Sequence, residues 1–126
     1  MQQHLFEYAV VRIVPKVQRE EFINTGIILY CKKQKYLKTK FTLNEERVIC
    51  FCDQTDLEEV RKHLSSFERI ADGAADGGPI AQLDIASRFR WLTAVRSTII
   101  QSSKVHVGFS ENLDETLNRL HEQMVL

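Results

Sequence analysis

What the chain lacks narrows it first. It has no net charge, since seventeen basic side chains are matched by seventeen acidic ones. No overall field therefore draws it to nucleic acid or to an anionic membrane, and any such binding must come from a local patch. No apolar run approaches the roughly 18 residues that a membrane helix needs. The opening Met-Gln-Gln-His-Leu-Phe-Glu-Tyr has no basic segment ahead of a long apolar one. Cysteine is scarce: the three residues are odd in number and form no disulfide framework, which suits a reducing compartment. Together these absences predict a soluble cytoplasmic protein.

Metal motifs are missing as well. Cys50-x-Cys52 with His63 comes nearest, but a structural zinc site wants four ligands at set spacings, and there is no second Cys or His pair. The cysteines read as small buried apolar residues. The aspartates in the glycine-rich segment 71–79 lack the spacing and closing glutamate of a calcium loop. No metal and no cofactor is expected, and no internal repeat is found.

What is present is enough for one domain. The 126 residues, 44% of them apolar, can bury a core of their own, so residues 1–126 are read as a single unit. Leu5 to Val14 is β-branched and aromatic, a strand that Pro15 stops. Alternation sets Phe6, Tyr8, Val10, Arg12 and Val14 on one face. Both faces are mostly apolar, so the strand is expected to be central. Arg12 is then the anomaly, because a guanidinium on a covered face needs a carboxylate or a ligand to offset its desolvation.

A polar connection from Pro15 to Gly26 follows, with a sharp turn expected at Asn24 and Gly26. Ile27 to Cys31 and Tyr36 to Phe41 read as two more strands, the second an outer one guarded by Lys38 and Lys40. Residues 42–52 favour a short helix. Thr55 with Glu58 forms a capping box for a clearer one, with its stripe at Leu57, Val60, Leu64, Phe67 and Ile70, ended by Gly73. A helical turn is expected near Ile80 to Ala86. Asn112 caps a last helix with Leu113, Leu117, Leu120 and Met124 on one stripe. The sum is an α+β domain: a small, largely antiparallel sheet of about four to five strands covered by two to three helices.

Candidate chemistry concentrates in Arg88-Phe-Arg-Trp-Leu-Thr-Ala-Val-Arg-Ser-Thr-Ile-Ile-Gln-Ser-Ser-Lys-Val-His-Val-Gly108. Arg88, Arg90 and Arg96 are fixed charges with planar, multi-donor heads of the kind that hold phosphate or carboxylate bidentately. Ser97 and Gln101 add neutral donors. Read as a strand, the stretch puts Arg88 and Arg90 on one face and Phe89 and Trp91, two core anchors, on the other. A hairpin between Ser97–Ile100 and Lys104–Val107 would return His106 towards the arginines. Against this stands internal pairing of the arginines with Glu20, Glu21, Asp84 or the loop aspartates.

Tyr8-Ala-Val-Val-Arg12 with Pro15, Arg19-Glu-Glu-Phe-Ile-Asn24-Thr-Gly26-Ile-Ile-Leu29, and above all Arg88 to Thr98 with Gln101 and His106-Val-Gly108, resemble a family of short bacterial proteins. That family is catalogued as domain of unknown function number three thousand and thirty-seven, and the resemblance runs nearly end to end. The family pattern often has a proline where this chain has Val95 and another near Lys104; without them the two turns here are less fixed. The resemblance implies no activity. It does imply proximity to genes for HipA-like kinases, hence such a kinase as a protein partner.

The anion- or partner-binding candidates are Arg12, Arg19, Asn24, Arg88, Arg90, Arg96, Ser97 and Gln101. The leading expectation is a non-catalytic regulatory module that binds a protein or a phosphate-bearing ligand through them. The alternative is an enzyme acting on a nucleotide or phosphodiester, with His106 as general acid/base and Glu20 or Glu21 as second proton-transfer group. Direct nucleic-acid binding is disfavoured by the zero net charge.

Overall fold

The computed structural model describes residues 2–126. Its centre is β1, His4–Ile13, a strand apolar on both faces that pairs on both edges. On one side lies β2, Ile23–Cys31, and beyond it the outer strand β3, Tyr36–Phe41. On the other side β4, Ile100–Ser102, and β5, His106–Ser110, lie end to end along β1, all pairings being antiparallel. The expected hairpin is therefore not formed. Ser103–Val105 interrupts what is otherwise one strand, held there by Ser103, whose N–H donates to the Val10 carbonyl and whose Oγ accepts from the Val10 N–H, both at 2.8 Å.

Among the described residues four α-helices, rather than two or three, cover both faces. On one face pack α1, Glu45–Phe51, α2, Leu57–Asp72, and α3, Ile85–Leu92. Val48, Val60, Leu64, Phe67 and Phe89 meet Ala9, Val11, Ile13, Ile28 and Tyr30 there. The other face is covered by α4, Leu113–Met124, whose Leu113, Leu117 and Leu120 pack on Phe6, Val10, Ile27 and Leu29. Val125 completes that stripe, and Met124 is exposed. Asn44, Asp56, Asp84 and Asn112 each accept a backbone N–H as N-caps; Asp56 takes the role expected of Thr55. Among the described residues no helix is long and apolar enough to cross a membrane.

Two local readings change. The sharp turn falls at Glu20, φ 58°, rather than at Asn24 and Gly26, which lie inside β2. The segment at Arg88 is helical, because Asp84 caps it by accepting from Ser87 N–H and because Phe89 and Leu92, three apart, both reach the core. Of the cysteines, only Cys31 is buried; Cys50 is exposed on α1.

β3 is tied to α4 by polar contacts. Tyr36 Oη and Lys38 Nζ both donate to Asp114 Oδ1, at 2.7 and 3.1 Å, and Lys40 Nζ donates to Asn118 at 2.7 Å. Beneath them His121 is buried, with Nε2 2.8 Å from Thr42 Oγ1, and burial, with a smaller effect from Lys40, lowers its pKa. As pH falls below the ordinary histidine value of about 6.5, the unfolded chain takes up this proton before the folded one. Stability is thus expected to fall with acidification until pH drops below the folded-state pKa. Urea midpoints should drop between pH 7.5 and 5.5 in the wild type and change less in His121→Gln; equal slopes in both would refute the assignment.

Candidate functional site

The sheet separates the candidate residues. The side chains of α3 lie on the face that carries Glu7, Ala9 and Val11, whereas Arg12, Asn24, Gln101 and His106 lie on the face that carries Tyr8 and Val10. The arginines and His106 therefore do not converge.

The three arginines of the motif have three different environments. Arg88 is structural: Nη1 donates to the Leu83 carbonyl at 2.9 Å and Nη2 to that of Ala71 at 3.5 Å, joining the C-terminal end of α2 to the start of α3. Arg90 forms an ion pair with Glu7 of β1 at 2.9 Å, a different partner from those expected from sequence. Arg96 has no carboxylate within ion-pair distance among the described residues. It donates to the Trp91 carbonyl, and its Cζ lies 4.0 Å from the Trp91 ring centroid. A guanidinium held over an indole keeps most of its donors for another group.

Trp91 is not the core anchor expected. Helical geometry turns Phe89 fully inward, stacked on Tyr30 at 4.9 Å, and leaves Trp91 40% exposed. Its ring lines a cleft of about 500 Å³ between α2, the end of α3 and β4. Phe67, Ile70, Leu92 and Ile100 contribute apolar wall; His63, Ser66, Arg96, Thr98 and Ser102 contribute the polar groups. No carboxylate lines it. The nearest acidic partner of a lining group is Glu59, 3.6 Å from His63 Nε2 and one turn back on α2. Two of the lining hydroxyls are engaged, Thr98 Oγ1 donating to the Ile100 carbonyl at 2.7 Å and Ser102 Oγ to the Ser103 carbonyl at 2.8 Å. A largely apolar cleft with a fixed cation is suited to an anionic ligand with a flat or apolar part. From sequence, His63 is considered only as a metal ligand and set aside, and Ser66 is not a candidate. They lie on the solvated side of an amphipathic helix and acquire meaning only through what packs beside it.

The remaining candidates lie elsewhere. Arg19 and Glu21 pair with each other at the surface, and Glu20 is exposed. Ser97 is exposed, and Gln101 Nε2 donates to the Thr98 carbonyl at 2.9 Å. His106 is exposed, with its ring centroid 5.3 Å from that of Tyr8 and tilted by 34°, and has no carboxylate bonded to it among the described residues. It is opposite Tyr8, while Glu21 precedes a β2 start that is opposite Ile13. Five strand residues, roughly 16 Å, lie between those levels, so the acid/base pair of the enzymatic reading is not assembled. Among the described residues no three His, Cys, Asp or Glu side chains are grouped to hold a metal ion.

The fold and cleft define an α+β domain with an open five-stranded antiparallel sheet, helices on both faces and a carboxylate-free aromatic–guanidinium cleft at one side. Within that class the chain belongs to a defined family. The model described as Protein of unknown function (DUF3037) matches residues 8–125, nearly the whole domain. No curated protein and no solved structure matches the chain.

Proposed function

We propose that the protein is a non-catalytic binding module whose Trp91–Arg96 cleft takes an anionic, phosphate-bearing ligand. The observation that carries this reading is the charge balance of the cleft. Arg88 and Arg90 are engaged internally, whereas Arg96 lines a cavity of about 500 Å³ that contains no carboxylate. A fixed cation without a counterion, beside the Ser66 hydroxyl and an indole face, favours a phosphate with an attached planar group. The absence of an assembled proton-transfer pair around His106 supports binding over catalysis. The family resemblance adds a HipA-like kinase as partner, to be tested by its co-purification with the chain.

Trp91 is the only tryptophan, so its emission reports on this cleft alone. Titration with adenosine monophosphate is expected to shift or quench it saturably, with affinity falling as salt rises. Arg96→Ala should weaken binding about tenfold or more, the loss of a charge-assisted hydrogen bond worth roughly 1.5–3 kcal/mol. Emission unchanged at millimolar ligand, or binding of equal strength in Arg96→Ala, would dismiss the proposal.

A further inference from the structure

The two edges of the sheet are unlike. At one edge β3 carries Lys38 and Lys40, which reach across to Asp114 and Asn118 of α4, and lysines on an outer strand discourage another strand from adding there. At the other edge β5 pairs with β1, and among the described residues no strand pairs with its outer side. His106–Ser110 contains no proline, lysine or carboxylate. Its outward N–H and C=O groups are therefore offered with nothing to guard them. The side chains beside this edge are apolar and uncovered. Leu5 is opposite Phe109 and Glu7 opposite Val107, so the four share the face on which α1, α2 and α3 pack. Those helices leave this end of the face bare: Leu5 is 51% exposed, Val107 62% and Phe109 66%. Glu7, the one charge in the row, is taken up by Arg90.

The edge is complementary to itself. Two β5 strands paired antiparallel about a two-fold axis at Gly108 set Val107 of each copy opposite Phe109 of the other, and His106 opposite Ser110. The side-chain period of two keeps both Val107–Phe109 pairs on one face. Gly108, at the axis, has no side chain, and the Phe6 ring fills its place on the other face, where a Cβ would stand 2.6 Å from Phe6 Cζ. Lys104 precedes the strand and Glu111 follows it, both exposed and neither in an ion pair among the described residues. Antiparallel pairing brings the Lys104 end of each copy to the Glu111 end of the other, so opposite charges meet twice.

We propose that β5 is a homodimer edge, through which a second copy of the chain pairs antiparallel and joins two five-stranded sheets into one. An unrelated peptide would meet the backbone groups alone. A second copy also meets the alternating Val107 and Phe109 and the charge at each end of the strand, which is what selects it. The paired strand is five residues long, so the interface lies at the low end of specific interfaces and a micromolar dissociation constant is expected. The edge is separate from the Trp91–Arg96 cleft, which none of these residues lines.

Sedimentation equilibrium of the full chain, combined with charge reversal at the strand ends, tests this. The wild type should show a concentration-dependent equilibrium between monomer and dimer. Lys104→Glu and Glu111→Lys should each dimerise about tenfold more weakly, because each turns two attractions into two repulsions. Mixed in equal amounts, the two variants should form a heterodimer as tight as the wild-type dimer, since both contacts between opposite charges are then restored. Phe109→Lys should stay monomeric. All three positions are exposed, so the circular dichroism of each variant should match the wild type. The proposal is overturned if the wild type remains monomeric at millimolar concentration, if Phe109→Lys leaves a dimer intact, or if the two charge-reversed variants fail to pair when mixed.

Discussion

Phe89→Ala is expected to lower the free energy of unfolding by about 3–5 kcal/mol. The ring is fully buried, stacks on Tyr30 at 4.9 Å and 26°, and with Leu92 seats α3 in the core. Truncation removes its burial and leaves a cavity between α3 and β2 that backbone pairing on β1 keeps from collapsing. Against a total stability of roughly 5–15 kcal/mol for a domain, that loss approaches global unfolding. Urea denaturation should show a lower midpoint with an unchanged slope. Trp91→Ala, by contrast, removes a ring that is 40% exposed and should cost much less. Equal penalties at the two positions would mean that α3 is not seated as described.

Gly26→Ala is expected to be the second most damaging change, at about 1–3 kcal/mol or more. The reason is close approach: a Cβ at Gly26 would stand 2.1 Å from Phe41 Cδ1 and 2.9 Å from the Lys40 carbonyl. Gly26 and Phe41 are cross-strand partners, and the Phe41 ring lies over the glycine while meeting Phe67 edge-on at 5.7 Å. Accommodating a methyl group pushes that ring out of the core. In a Phe41→Leu background the penalty of Gly26→Ala should shrink, a coupling that a double-mutant cycle measures directly. If the penalty is the same in both backgrounds, the Lys40 carbonyl rather than the ring is the obstacle.

Much of the fold was legible because its causes are local. The two long helices carry their own caps and a 3.6-residue stripe, β1 is a β-branched and aromatic run, and β3 alternates within itself. Arg12 could be singled out the same way, since a strand apolar on both faces leaves an arginine nowhere comfortable. The segment from Arg88 to Leu92 was ambiguous because five residues fit both periods. Asp84 with Ser87 was the signal that decides for the helix, and it lies just upstream. Reading that segment as a strand put Arg88 and Arg90 together and Trp91 inside. The helix separates the first pair and brings Trp91 out into the cleft.

The amino-acid sequence by itself determined the class of domain, the central strand, the two amphipathic helices, and the concentration of polar residues after Arg88. Only the tertiary structure decided which of those polar residues share a face. Strand register is a long-range property, and one bulged residue moves every later side chain to the other side of the sheet. The bulge at Thr25 and the break at Ser103–Val105 therefore place Asn24 and Gln101 beside Arg12, on the face of the sheet opposite the helix that carries Arg88 and Arg90. The distance between His63 and Arg96 in sequence is likewise closed only by packing α2 against β4 and the end of α3.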